Sequence, residues 1–126
     1  MSSHPQQQVL IVDDDEMWRM LARVALERAG FRCIECGSVD AALDVLARQS
    51  FHCIVTDLRM PGRDGFDLCR SVRAQACTAA VPIILMTGST DESEHRRAIE
   101  AGADTTLRKD AEFKQVVSTV RFARRG

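Results

Sequence analysis

The most constraining feature of this chain is an apolar run that stops on a carboxylate. Cys53-Ile54-Val55-Thr56 leads into Asp57, and Met60-Pro61-Gly62 turns the chain just beyond it. A short run without polar alternation, bounded by turn residues, reads as a strand covered on both faces, the habit of parallel sheets flanked by helices. A second run, Val9-Leu10-Ile11-Val12, ends in the same way on Asp13-Asp14-Asp15. Ligands of open parallel sheets bind beyond the carboxyl ends of the strands, so two neighbouring strands of this kind predict one acidic crevice.

The rest of the chain repeats a strand-and-helix unit. Met17, Leu21, Val24 and Ala25 recur at helical spacing over 16–29, and Gly30 marks the stop. Residues 31–35 form a short strand, Gly37 and Ser38 a turn and cap, and Val39, Ala42, Leu43 and Leu46 the apolar stripe of a second helix. After the third strand, at 52–57, Pro61-Gly62 suits a type II turn, and Asp64 caps a helix carrying Leu68, Cys69 and Val72. Pro82 opens a fourth strand over 83–86, followed by the small polar loop Thr87-Gly88-Ser89-Thr90. A charged helix over about 91–101 has only Ala98 and Ile99 as apolar anchors, and Gly102 ends it. A strand over 105–108 and a helix over about 111–124, burying Phe113, Val116, Val117 and Val120, complete the pattern. Five strands alternating with five helices predict an α/β fold, a doubly wound five-stranded parallel sheet, in one domain over 1–126 with residues 1–7 as a flexible lead-in.

Composition narrows the function by exclusion. Seventeen basic and eighteen acidic residues give a net charge of −1 and a pI near 6.3. Such a balance argues against direct nucleic-acid binding. The apolar runs are far too short for a bilayer, and the polar start lacks a signal peptide's features, so a soluble cytoplasmic protein without membrane contact is expected. The five cysteines read as reduced core thiols. Cys33-x-x-Cys36 is no metal or redox pair, because strand residues three apart point to opposite faces. His4, His52 and His95 have no partners at ligand spacing and read as surface or edge positions. Arg121, Arg124 and Arg125 read as a solvated helix end, and Asp15, like Asp64, as a helix cap.

The crevice would gather Asp13, Asp14, Asp57, Thr87 and Lys109 from separate strand ends. Crowded carboxylates raise one another's pKa unless a cation joins them, and an all-oxygen set suits Mg²⁺, with Mn²⁺ as a substitute. A Thr hydroxyl and a Lys ammonium beside them suit a phosphoryl group, whose transfer needs mainly positioning and charge neutralisation. An Asp carboxylate can itself accept that group as an acyl phosphate.

In this order along the chain, these residues resemble the receiver domain of the two-component response-regulator family over essentially the whole length. The matching signs are the acidic pair after strand one, Asp57 followed by Met-Pro-Gly-x-Asp-Gly, Thr87 closing strand four, and Gly102-Ala103-Asp104 before Lys109. The resemblance implies a flavodoxin-like fold with strand order 2-1-3-4-5. It makes Asp57 the phosphoacceptor, and Asp13, Asp14 and the backbone carbonyl of Arg59 metal ligands beside it. It gives Thr87 and Lys109 the phosphoryl oxygens. Arg59 and Ser89 would border the pocket and tune access of water. The implied donor is a phosphohistidine on a sensor histidine kinase or histidine phosphotransfer protein. The implied output is a domain or protein partner, or a second copy of the chain, meeting the face of helix four, strand five and helix five. Such a domain assists its own phosphorylation and dephosphorylation without being a turnover enzyme.

Two positions depart from the family. Thr106 stands where an aromatic switch residue is usual, and Asp110 where the Lys is usually followed by Pro after a cis bond. A cis bond before Asp would cost ~3 kcal/mol, so a trans bond is expected, with Asp110 as cap of the last helix. These departures are the support for a non-phosphorylated pseudo-receiver. A haloacid-dehalogenase-like phosphohydrolase, with Asp13 as nucleophile and Asp15 as acid, would leave Asp57 unused and lacks its further acidic pair and cap domain. Trp18, just past the acid cluster, is positioned to report on the pocket by fluorescence.

Overall fold

The computed structural model describes residues 7–89 and 91–125; the lead-in apart from Gln7, His4 among it, and Thr90 lie outside the described residues. The elements are β1 (Gln8–Val12), α1 (Glu16–Arg28), β2 (Arg32–Cys36), α2 (Val39–Leu46) and β3 (Cys53–Asp57). They continue with α3 (Gly65–Ala74), β4 (Ile83–Thr87), α4 (Glu92–Ala101), β5 (Thr105–Arg108) and α5 (Phe113–Arg121). The strands form one parallel sheet in the order β2-β1-β3-β4-β5, as the family resemblance implies. No helix among the described residues is long and apolar enough to cross a membrane.

The unbroken apolar runs of β1, β3 and β4 are explained by the two layers they separate. Leu10, Val12, Ile54, Ile83 and Leu85 face α2, α3 and α4, while Val9, Ile11, Val55, Ile84 and Met86 face α1 and α5. Alternate residues of each strand therefore enter different cores, and Thr56, polar within β3, is buried with its hydroxyl donating to the Asp57 carbonyl. Cys33 and Cys36 fall on opposite sides of the sheet for the same reason. Cys53 and Cys69 are core thiols that burial pushes up to about 12, whereas Cys77 is exposed and no part of the core.

Two helices sit differently from the apolar spacing. In α1 the buried residues are Ala22 and Leu26, while Met17, Met20 and Leu21 are exposed. Polar contacts account for the rotation: Arg19 and Arg23 reach Glu35 of β2 at 3.2 and 2.7 Å, fixing their edge of α1 over the sheet. In α4, Ala98 and Ala101 are buried and Ile99 is 41% exposed. Small residues there let the helix backbone lie close to the sheet.

The end of the sheet away from the acids is held by one side chain. Arg73 of α3 donates to the carbonyls of Gly102, Ala79 and Val81 and pairs with Asp104 at 2.8 Å. Asp104 also accepts from the Ile83 N–H at 2.8 Å and pairs with Arg125 at 2.9 Å. Gly102, at φ +121°, closes α4 in a conformation an L side chain resists.

Candidate functional site

The parallel register sets the first two acids side by side. Val12 pairs with Thr56, so the next residues along, Asp13 and Asp57, leave adjacent strands at the same height. A backbone bond from the Asp13 N–H to the Cys36 carbonyl, 3.0 Å, extends the ladder one residue and takes Asp13 fully out of solvent. Asp15 caps α1 through the Met17 and Trp18 N–H groups, as expected, while Asp14 stays exposed. One carboxylate oxygen from each of Asp13, Asp14 and Asp57 lies within 4.8 Å of the others.

The turn after Asp57 is shaped by close approach. Gly62 takes φ +77°, as the third residue of a type II turn requires. Asp64 caps α3 in a reciprocal capping box with Asp67, and this brings Gly65 against the end of β3. A Cβ at 65 would stand 2.6 Å from the Asp57 carbonyl oxygen and 3.0 Å from the Leu58 Cα, so only Gly allows α3 to start there. The Asp57 side chain itself accepts from the Leu58 N–H at 2.9 Å.

Lys109 enters from the end of β5, located by a 2.7 Å bond from its N–H to the Thr87 carbonyl. Its ammonium lies 2.5 Å from Asp13 Oδ2 and 3.4 Å from Asp57 Oδ2. Burial first, then the charge of Asp13, pushes the Asp57 carboxyl above its ordinary range, against the opposing pull of Lys109. Burial disfavours the Lys109 ammonium, yet the two carboxylates together hold its pKa above the usual value. The Trp18 ring covers this ammonium at 4.8 Å and packs on Phe113 of α5 at 5.7 Å. Trp18 is thus in the pocket wall, where its place in the sequence put it.

A divalent cation fits this donor set. Asp13 Oδ2 is buried, and the Lys109 ammonium is its one close partner among the described residues. A buried carboxylate oxygen in that state, with two further carboxylates converging on it, offers the all-oxygen environment that Mg²⁺ takes.

The opposite wall is built differently. Thr87, buried at the end of β4, accepts from the Ser89 N–H at 3.0 Å and donates its hydroxyl proton to Glu94 in the first turn of α4. The other Glu94 oxygen pairs with Arg59 at 3.1 Å, tying α4 to the loop after β3. Ser89 uses its hydroxyl to accept from the Asp91 N–H, so it meets Thr87 through its backbone N–H alone. Glu94 was not among the residues singled out from the sequence; its one signal was its place in the first turn after the Thr87 loop.

At the edge strand, Thr106 shares a 2.6 Å hydrogen bond with His95 Nδ1 of α4. His95 is exposed as expected but partnered. A groove of about 280 Å³ lies beside the pair, lined by Thr87, Ser89, His95, Thr106 and Arg108, where a larger residue at 106 would find room. Asp110 does not cap α5. It pairs with Arg108 at 2.8 Å, and the cap position is Glu112, whose N–H donates to the Gln115 side chain. The reason is the start of α5, two residues beyond the reach of Asp110. No described peptide bond is cis, that between Lys109 and Asp110 included.

The sequence profile of the response regulator receiver domain matches residues 9–121. The chain is 31% identical over 113 residues to the phosphate regulon transcriptional regulatory protein PhoB of Pseudomonas aeruginosa, covering 90% of this chain and 49% of that protein. It is 34% identical over 115 residues to the transcriptional regulatory protein FixJ of Bradyrhizobium diazoefficiens, covering 91% and 55%. It spans about half the length of these relatives. The solved structure of the chemotaxis response regulator CheY4 of Vibrio cholerae superposes with a TM-score of 0.88 at 26% identity, covering 93% of this chain and 98% of that one.

Proposed function

The chain belongs to the response regulator receiver domain family, and from that membership we propose that Asp57 accepts a phosphoryl group from a phosphohistidine of a sensor histidine kinase or histidine phosphotransfer protein. The observation that carries this reading is the meeting of Asp13, Asp14, Asp57 and Lys109 at one strand end. Asp57 ends β3 with Oδ1 on the Leu58 N–H and Oδ2 3.4 Å from the Lys109 ammonium. Its carboxylate oxygen forms a bond to phosphorus as the phosphorus–nitrogen bond of the donor breaks, and the electron pair leaves with the imidazole, which is protonated in turn.

Asp13, Asp14, Asp57 and the Arg59 carbonyl would hold the divalent cation, which supplies charge neutralisation for the phosphoryl oxygens. Lys109 provides a second positive charge beside Asp13 and Asp57, and its ammonium stays protonated because both acids favour that state. Thr87 donates to a phosphoryl oxygen once the group is in place. Trp18 shields Lys109 from water and keeps its attraction for the transferred group strong. Arg59 and Ser89 at the rim govern the approach of the water that later hydrolyses the acyl phosphate.

The signal passes to an output domain or partner at the face made by α4, β5 and α5. Two relatives are named as transcriptional regulatory proteins, and the output of this chain is read in that light. Gel filtration with and without a phosphoryl mimic reads whether that partner is a second copy. The central test is chemical. Incubation with Mg²⁺ and acetyl phosphate should add one phosphoryl group to the parent protein, seen by intact mass, and none to Asp57→Asn. No adduct on the parent, or an equal adduct on the variant, refutes the reading.

A further inference from the structure

A receiver without an aromatic at 106 needs another route from the pocket to its surface, and the geometry of α4 supplies one. A threonine hydroxyl has a single proton to donate. In this structure that proton goes to Glu94, while the Thr87 oxygen accepts from Ser89. Thr87 therefore cannot donate to a phosphoryl oxygen on Asp57 without leaving Glu94. The two bonds are mutually exclusive, and Glu94 is a built-in competitor for the residue that senses phosphorylation.

Glu94 is well placed for this. Its side chain is only 13% exposed, so the Thr87 hydroxyl and the Arg59 guanidinium are its main compensation for lost water. Arg59, at 76% exposure, is the weaker of these partners because solvent screens it. The next residue along α4, His95, carries the bond to Thr106 of β5. Consecutive residues of one helical turn thus reach in two directions, one into the pocket and one to the edge strand.

We propose that Glu94 is a positioning residue that holds Thr87 and Arg59 away from Asp57 until a phosphoryl group takes the Thr87 hydroxyl, and that the freed first turn of α4 then moves His95 relative to Thr106. This rests on the phosphoacceptor reading of Asp57. It assigns to a polar pair, His95 and Thr106, the reporting task that an aromatic side chain would otherwise perform. It also gives Arg59 a role in the resting state, before any phosphoryl group is present.

The test uses Mg²⁺-loaded protein at fixed pH, titrated with trifluoroberyllate as the phosphoryl mimic. Affinity is read from bound fluorine resonances and the outcome at α4 from the His95 imidazole resonances. Removing a competitor strengthens mimic binding, whereas damage to the fold weakens it, so the direction separates the two. Glu94→Ala should bind the mimic about tenfold more tightly, the worth of one charge-assisted hydrogen bond no longer broken on binding. Its His95 resonances should lie part-way toward the mimic-bound position before any mimic is added. Glu94→Gln, nearly isosteric and still able to accept from Thr87, should fall between parent and Ala and serves if Glu94→Ala does not fold.

Equal or weaker mimic binding by both variants, or His95 resonances in the parent that do not move on saturation, overturns the proposal while leaving Asp57 as acceptor. Failure of the parent to bind the mimic, or equal binding by Asp57→Asn, overturns the phosphoacceptor reading and this proposal with it.

Discussion

The two walls of the pocket solve opposite problems. On one side Asp13, Asp57 and Lys109 are drawn together at strand ends, with charges crowded into a poorly solvated space. On the other, Thr87, Glu94 and Arg59 form a chain of ordinary polar contacts that ends on an exposed guanidinium. The first wall is held in place by the sheet and stores electrostatic tension. The second starts from Thr87 at the end of β4 but is closed by side-chain contacts, which can exchange partners at low cost. On the proposed function, the chemistry would fall to the first wall and the signalling to the second.

Four perturbations would break or sharpen this contrast. The largest effect is expected from Lys109→Ala, which leaves Asp13 and Asp57 facing each other without a cation. Removing one partner of a buried pair should cost roughly 3 kcal/mol in metal-free urea unfolding, with Mg²⁺ recovering much of it. Glu94→Ala, by comparison, should cost about 1.5 kcal/mol, the worth of its bond from Thr87, since its ionic partner Arg59 is exposed and adds little. Equal losses on the two walls would contradict the contrast.

Gly65→Ala comes next. A Cβ 2.6 Å from the Asp57 carbonyl oxygen forces β3 and α3 apart, and overpacking of this kind should cost about 2 kcal/mol. It should also slow acetyl phosphate labelling, because the backbone carrying Asp57 is displaced. Labelling at the parent rate would show the rigid wall to be softer than its packing suggests.

A smaller effect follows from the raised pKa of Asp57. A carboxyl whose folded pKa exceeds its unfolded value binds protons more readily when folded. It therefore opposes folding once ionised in both states, and the penalty fades as pH falls through the folded pKa. In metal-free buffer, melting temperature of the parent relative to Asp57→Asn should rise as the pH is lowered from neutral, and Mg²⁺ should abolish the difference in slope. A constant offset would mean that Asp57 ionises as an ordinary exposed acid.

The least costly change is Thr106→Val. It removes the bond to His95 at an accessible edge and should alter stability by no more than about 0.5 kcal/mol. Its signature lies in coupling: the mimic should still bind, while the His95 resonances respond less. An unchanged His95 response would place the output elsewhere on α4.

The rigid wall was largely legible in the sequence because strands advertise themselves. Val9–Val12 and Cys53–Thr56 allow one placement in a parallel sheet, and the acids that end them have nowhere to go but the crevice. Glu94 and His95 were opaque for the converse reason. In a helix where most residues are polar, the direction in which a charged side chain points is settled by tertiary partners that no periodicity records. The register of α1 eluded the apolar spacing on the same principle, since Met17 and Leu21 yielded the inner face to Ala22 once Arg19 and Arg23 had found Glu35. Asp110 carried a correct residue type for a cap, but α5 begins too late to use it. Motif positions with a backbone reason were readable; side-chain partnerships across elements were not.

The Arg73 cluster gives α4 a mechanical character. Its carboxyl end is fastened, because the Gly102 carbonyl is bound to Arg73 and Asp104, two residues on, pairs with both Arg73 and Arg125. Its amino end is tied to the pocket by Glu94. On the proposed release of Thr87 by Glu94, the helix would act as a lever with its pivot at Gly102: ten residues long, it measures roughly 15 Å, so a tilt of ~10° would sweep its first turn by roughly 3 Å while the pivot stays still. A displacement of that size equals a hydrogen-bond length, enough to make or break one contact at the surface with no change in the core beneath it.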